Sequence, residues 1–157
     1  STASNSSDRD LCLALGAKAV VNHREEDWGQ QVLVATSGKK VDRVIDVEFG
    51  ANLPQILGCI APNGVIATYS STQVKTPSLP FLDMMYMDLT LRMVIVYAMP
   101  ESAKQAAIAA ISIALEQEQL EHRVAHVVPL EKISKAHELI EIGGFGGCVV
   151  VSMESSE

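Results

Sequence analysis

Short β-branched runs alternate with segments of helical periodicity along the whole chain, and this alternation constrains the fold more than any other feature. Ala19-Val20-Val21-Asn22, Val41 to Val47, Val65 to Tyr69, Leu89 to Tyr97, Arg123 to Val128 and Cys148 to Ser152 read as strands. Helical spacing marks the segments between them. Leu11 and Leu15 follow Ser6 and Ser7, with Ser7 and Asp10 spaced as a capping box and Gly16 as the stop. Trp28, Val32 and Ala35 form a stripe behind Glu25, Glu26 and Asp27, acids that suit a helix N-terminus. Ala51 to Cys59 carries Pro54 in its first turn. Ala103 to Glu118 and the stretch from Ile133 to Ile140 complete the helices. Ala61 to Gly64 reads as a turn and Ser70 to Pro80 as a loop. Strands separated by such helices need crossover connections and therefore pair in parallel. The expected fold class is α/β, a Rossmann-like parallel sheet with flanking helices.

Charge and composition then exclude whole classes. Twelve Lys and Arg stand against nineteen Asp and Glu, a net charge of −7. That leaves no basic surplus for nucleic acid, which binds basic surfaces by counterion release. One Trp, three Tyr and three Phe offer few stacking platforms. The apolar runs fall short of the ~20 residues that span a bilayer, so no membrane segment is expected. No basic segment followed by an apolar core marks a secretory signal, and three dispersed cysteines do not form a disulfide framework. A cytoplasmic protein with free thiols is the expectation. His122 and His126 would stand too far apart on a strand to share one metal.

Ligands of open parallel sheets bind at the carboxyl ends of the strands. That rule selects Ser4-Asn5, Asn22-His23, Asp46-Val47, Tyr69-Ser70-Ser71 and Val96-Tyr97.

The order of motifs is specific. Leu15-Gly16-Ala17 is followed by Val20-Val21-Asn22-His23-Arg24-Glu25-Glu26-Asp27, by Val41-Asp42-Arg43-Val44-Ile45-Asp46, and by Leu57-Gly58-Cys59-Ile60-Ala61-Pro62-Asn63-Gly64. Pro129-Leu130-Glu131-Lys132-Ile133, Lys135-Ala136-His137-Glu138 and Gly146-Gly147-Cys148-Val149-Val150-Val151 close the series. This succession resembles the medium-chain dehydrogenase/reductase superfamily, in its NADPH:quinone oxidoreductase (zeta-crystallin-like) branch. The resemblance implies that the chain corresponds to the C-terminal cofactor-domain part of such an enzyme, without the first strand and the glycine-rich loop. The clustered glycines, Gly143, Gly144, Gly146 and Gly147, follow a helix instead of a strand and are expected to form a turn. Residues 1–120 would form a partial NAD(P)-binding Rossmann-like domain. Residues 121–157 would pack on an absent GroES-like catalytic domain.

The resemblance also assigns candidate cofactor contacts, each with a structural alternative. Ser4 and Asn5 follow the strand whose end distinguishes the cofactors. Neutral donors there, in place of an acid, point to NADPH over NADH, although helix capping explains serines as well. His23 and Arg24 would approach adenine and the 2′-phosphate, or simply occupy an exposed loop. Asp46 borders the nicotinamide ribose or fixes the next helix. Phe49 and Gly50 would line the nicotinamide pocket through their backbone. Ser70 and Ser71 would hold ribose or phosphate oxygens, or begin a loop. Val96 and Tyr97 would flank the ring, or belong to the sheet core. No catalytic acid, base or nucleophile stands out, because in this branch NADPH delivers hydride directly to a small-molecule electron acceptor, a quinone or an enone, without zinc. Alcohol dehydrogenase-like reductases are included in the same reading. The strand Leu89 to Tyr97, apolar and placed at a sheet edge, is expected to join two copies as a homodimer. The alternative function is a non-catalytic dimerising α/β module. A methyltransferase fits less well, since it would want a glycine-rich first loop.

Overall fold

A computed structural model describes residues 1–153. The chain forms two compact units, Ser1–Pro100 and Glu101–Glu157.

In the first unit, helix α1 spans Ser6–Ala14. Its N-cap is Asn5, one residue ahead of the serines that the sequence suggested. The Asn5 Oδ1 accepts from the Asp8 amide at 2.8 Å, and Nδ2 donates to the Asp8 carboxylate at 2.7 Å. Gly16, at φ 97°, closes this helix in the left-handed region. The expected strand from Ala19 to Asn22 is reduced to one parallel bridge, Thr2 to Val21. Two backbone bonds hold it, Ala3 N to Val21 O and Val21 N to Ser1 O.

Helix α2 covers Trp28–Ala35, strand β1 Val41–Asp46, helix α3 Phe49–Cys59 and strand β2 Ile60–Thr68. A short helix α4, Phe81–Tyr86, precedes strand β3, Thr90–Met93. The three strands form one parallel sheet in the order β1-β2-β3. Arg43 pairs with Val65 and Asp46 with Thr68, whereas Val41 pairs with Ile60. The residues between are therefore a bulge within β2, not a turn outside it. Asn63 sits there at φ 62° and donates its amide to Met87 O at 2.8 Å.

The core explains the helices. Phe49, Leu53, Ile56 and Ile60 repeat at helical spacing and are nearly or wholly buried, together with Trp28, Cys59 and Ile66. Complete burial of each such aliphatic side chain contributes about 1.5–3 kcal/mol. Gly29 lets α2 lie directly on α3, since a Cβ there would stand 2.5 Å from the Gln55 carbonyl oxygen. Pro54 is the sixth residue of α3 and so lies inside the helix, beyond the first turn.

The strand expected from Leu89 to Tyr97 ends early. Val94 N–H still reaches Thr68 O at 2.8 Å, but Thr68 is the last residue of β2. With no neighbour left to pair, the chain turns at Val96–Ala98 into a 3₁₀ segment. Val96 and Tyr97 are thus not sheet core: Tyr97 is 91% exposed.

The second unit holds helix α5 (Glu101–Glu116), strand β4 (Val124–Pro129), helix α6 (Ile133–Ile142) and strand β5 (Cys148–Ser152). β4 and β5 pair in parallel across the α6 crossover. Gly143, Gly144 and Gly147 adopt φ of 63°, 81° and 130°, the turn expected of the glycine cluster.

Candidate functional site

Asp46, Phe49, Gly50, Ser70 and Ser71 lie at or just after the carboxyl ends of β1 and β2, and Ser4, Asn5, His23 and Arg24 follow the isolated Thr2–Val21 bridge. The remaining two, Val96 and Tyr97, follow the carboxyl end of β3 in the 3₁₀ segment.

A cleft of about 400 Å³ opens where the Thr2–Val21 bridge ends. Ser4, Asn5, Ser6 and Arg9 wall one side, and Val20, Val21, Asn22, Glu25 and Gln31 the other. Asn5 enters it with one amide hydrogen already committed to Asp8. Arg9 pairs loosely with Asp10 at 3.6 Å. His23 and Arg24 lie beside the cleft on an exposed turn, where the Arg24 amide donates to Asn22 Oδ1 at 3.1 Å. The carboxylate in this cleft belongs to Glu25. It accepts from Asn22 Nδ2 at 3.2 Å and from Gln31 Nε2 at 2.5 Å. Sequence reasoning spent Glu25 on a helix N-terminus. The helix starts three residues later, at Trp28, and leaves Glu25 facing the cleft.

A larger cavity of about 460 Å³ lies among Ser1, Lys18, Ala19, Val32, Lys39 and Val41. It sits at the amino ends of the strands, so the smaller cleft is the candidate site.

The second cluster joins the ends of β1 and β2. Asp46 is buried, and both its oxygens are occupied. Oδ2 accepts from the Glu48 amide at 2.9 Å and Oδ1 from Asn52 Nδ2 at 2.7 Å, which fixes the entry to α3. Phe49 donates its amide to Ser70 O at 3.0 Å, and Gly50 donates to Ser71 Oγ at 2.9 Å. Ser71 Oγ in turn donates to Val74 O at 2.5 Å. A Cβ on Gly50 would stand 2.6 Å from Val74 O and 2.8 Å from Ser71 Oγ, so only glycine admits this approach. Glu48 completes the cluster. Its Oε2 accepts from the Thr72 amide at 3.0 Å and hydroxyl at 2.6 Å, and Oε1 accepts from the Gln73 amide at 3.0 Å. The Thr72 hydroxyl, with these amides, holds the Glu48 carboxyl below the ordinary glutamate range. Nothing in the sequence marked Glu48, because its partners lie more than twenty residues away.

Among the described residues, no three His, Cys, Asp or Glu side chains come together to hold a metal ion. No helix among them is long and apolar enough to cross a membrane.

Comparison with known proteins identifies the family. The family model described as zinc-binding dehydrogenase matches residues 1–112. A quinone oxidoreductase from Sus scrofa is 27% identical over 138 residues, covering 87% of this chain and 41% of that protein. The crystal structure of an NAD-dependent alcohol dehydrogenase superposes with a TM-score of 0.79 at 26% identity, over 98% of this chain and 43% of that one. A 2-haloacrylate reductase shares the fold with a TM-score of 0.83 at 22% identity, over 98% of this chain and 49% of that one. The chain therefore spans less than half the length of these relatives. Both the α/β class with its parallel sheet and the resemblance carried by the motif order are borne out. The chain belongs to the zinc-binding dehydrogenase family, within the medium-chain dehydrogenase/reductase superfamily and alongside its quinone oxidoreductases.

Proposed function

We propose that this chain is the cofactor-binding part of an NADPH-dependent oxidoreductase that passes hydride to a small quinone or enone. The observation that supports the reading is a polar cleft at the Thr2–Val21 bridge together with a hydrogen-bonded loop cluster at the carboxyl ends of β1 and β2.

The residues present suit such a cofactor. Ser4, Asn5, Asn22 and Glu25 provide donors and acceptors for ribose hydroxyls, and Arg9 provides a cation for a 2′-phosphate. His23 and Arg24 flank the same end. The exposed Val96 and Tyr97 offer an apolar wall beyond β3 for the ring. When bound, the reduced nicotinamide supplies the hydride. The chain's own residues orient it: Ser70 and Ser71, pinned to Phe49 and Gly50, shape the pocket beyond Asp46.

NADPH is favoured over NADH because Ser4 and Asn5 stand where an acid would repel the 2′-phosphate. Glu25 opposes Arg9, so the preference follows the balance of these two charges. In the same proposal, residues 121–157 pack on a catalytic half outside this chain, and the chain alone turns over no substrate. A homodimer through the Leu89–Tyr97 segment, in the cytoplasm, belongs to it too. Its support is the edge position of β3 and the exposed Met93, Ile95 and Tyr97. Zinc has no part in the proposed reaction.

Titration of the full-length protein with NADPH and NADH tests the reading. NADPH should bind more tightly, and Asn5→Asp should reverse the order, since aspartate keeps the acceptor for the Asp8 amide, gives up the donation to the Asp8 carboxylate, and adds a charge and a ribose acceptor. Binding of neither cofactor would end the proposal. An unchanged preference in Asn5→Asp would end the assignment of cofactor choice to this cleft.

A further inference from the structure

Glu48 occupies the N-cap position of α3, yet its side chain caps nothing in that helix. An N-cap side chain normally accepts from amides in the helix's own first turn. Here the roles are exchanged. Phe49 and Gly50, the first two helical residues, give their amides to Ser70 O and Ser71 Oγ. Glu48 in turn takes the amides of Thr72 and Gln73 and the Thr72 hydroxyl. The loop caps the helix, and the residue that should cap the helix caps the loop.

We infer that Glu48 is a positioning residue whose carboxylate fastens the loop after β2 over the first turn of α3, and thereby builds the wall that meets the nicotinamide riboside half of the cofactor. The inference rests on the cofactor reading above and adds a residue and a chemical class to it. Three observations carry it. Both segments leave the carboxyl ends of adjacent parallel strands, where ligands of such sheets bind. Gly50 lets the loop lie on the helix with no side chain between them. The two leading amides of α3 are already spent on the loop, so this helix end does not present them to a phosphate. In the inferred arrangement the uncharged loop, not the helix end, meets the ligand, which suits a carboxamide and ribose hydroxyls better than a phosphate. A carboxylate clamp of three hydrogen bonds keeps the loop in one place, since bonds to an ionised acceptor are roughly twice as strong as neutral ones.

The test uses the full-length protein and its Glu48→Ala and Glu48→Gln variants, with two cofactor halves as probes: reduced nicotinamide mononucleotide and ADP-ribose. Hydrogen exchange at the Thr72 and Gln73 amides reads the clamp directly. In Glu48→Ala both amides should exchange faster, and reduced nicotinamide mononucleotide should bind about three- to tenfold more weakly, the equivalent of about one ordinary hydrogen bond lost through a loosened wall. ADP-ribose should bind as before. Glu48→Gln, which keeps one acceptor, should fall between, and it decides the matter if the alanine variant does not fold. Faster exchange with unaltered mononucleotide binding would overturn the inference, because the loop would then not be the wall. Equal weakening of both probes would overturn it as well, as a general loss of structure. If neither probe binds the unmodified protein, the cofactor reading itself fails and the inference with it. ADP-ribose binding without the mononucleotide would refute the wall while leaving the cleft intact.

Discussion

Alanine at position 29 sets two opposing effects against each other, and the structure says which one wins. Glycine inside a helix costs about 1 kcal/mol relative to alanine, so propensity alone would make Gly29→Ala stabilising. The new Cβ, however, would stand 2.5 Å from the Gln55 carbonyl oxygen and 2.9 Å from its Oε1. The carbonyl belongs to the α3 backbone and cannot rotate away. Restoring an ordinary contact requires α2 and α3 to separate by roughly 0.8 Å, and overpacking of this kind costs about 1–3 kcal/mol. The separation also strains the Gly29 amide bond to Gln55 Oε1, 3.0 Å long, and the Gln55 bond to Glu26 O. Losing one such bond adds about 0.5–1.5 kcal/mol. The expected net is a destabilisation of about 1–3 kcal/mol. Gly58→Ala in α3 is the control, since a Cβ there meets nothing within 4 Å. It should gain a few tenths to about 1 kcal/mol. Urea unfolding followed by the fluorescence of Trp28, the single tryptophan and a buried neighbour of Gly29, measures both. A Gly29→Ala protein as stable as the unmodified one, or a Gly58→Ala protein destabilised equally, would refute the reasoning.

The three thiols should separate by reactivity: Cys148 is exposed, Cys12 half-buried, and burial raises the pKa of Cys59. A thiol-specific reagent at neutral pH should therefore leave Cys59 unmodified until the first unit unfolds. Glu48 has a lowered pKa in the folded chain, so its contribution is complete above 4.5 and disappears as pH falls through the folded value below that. Amide protection at Thr72 and Gln73, corrected for intrinsic exchange, should accordingly stay constant from neutral pH down to 4.5 and decline only lower. Val94→Pro removes the donor to Thr68 O at the end of β3. Light scattering should find a dimer for the unmodified protein and a monomer for this variant if the segment is the interface; a folded variant that still dimerises would exclude it.

Local signals were legible where local physics decides. Gly16 and the glycines after α6 demand left-handed backbone, and each closes its helix as the sequence says. Ile56 and its partners repeat at helical spacing, and α3 follows. Strand lengths were not legible, because a strand extends only as far as its neighbour. Val94 to Tyr97 is more apolar and more β-branched than Leu91 to Met93, yet it leaves the sheet where β2 runs out. Likewise Ala19 to Asn22 pairs only at Val21, with Thr2. In the site, Asp46 ends β1 and Ser70 and Ser71 follow β2, as the strand runs in the sequence suggest. Glu25 and Glu48 escaped notice because their roles depend on where a helix starts and on a loop distant in sequence.

The second unit has a different thermodynamic character from the first. Among the described residues its parallel pair β4–β5 has no third strand, and only its Val128 and Ala136 are buried. A two-stranded sheet is marginal by itself, since each strand satisfies one side only and little apolar area leaves water. Such a segment opens at a lower free energy than a three-stranded sheet backed by two helices. The chain thus carries its own gradient of persistence. Heat, protease or denaturant would loosen Glu101 onward in a sub-global step while the Trp28–Ile66 core still holds, and a single melting temperature would describe only one of the two events.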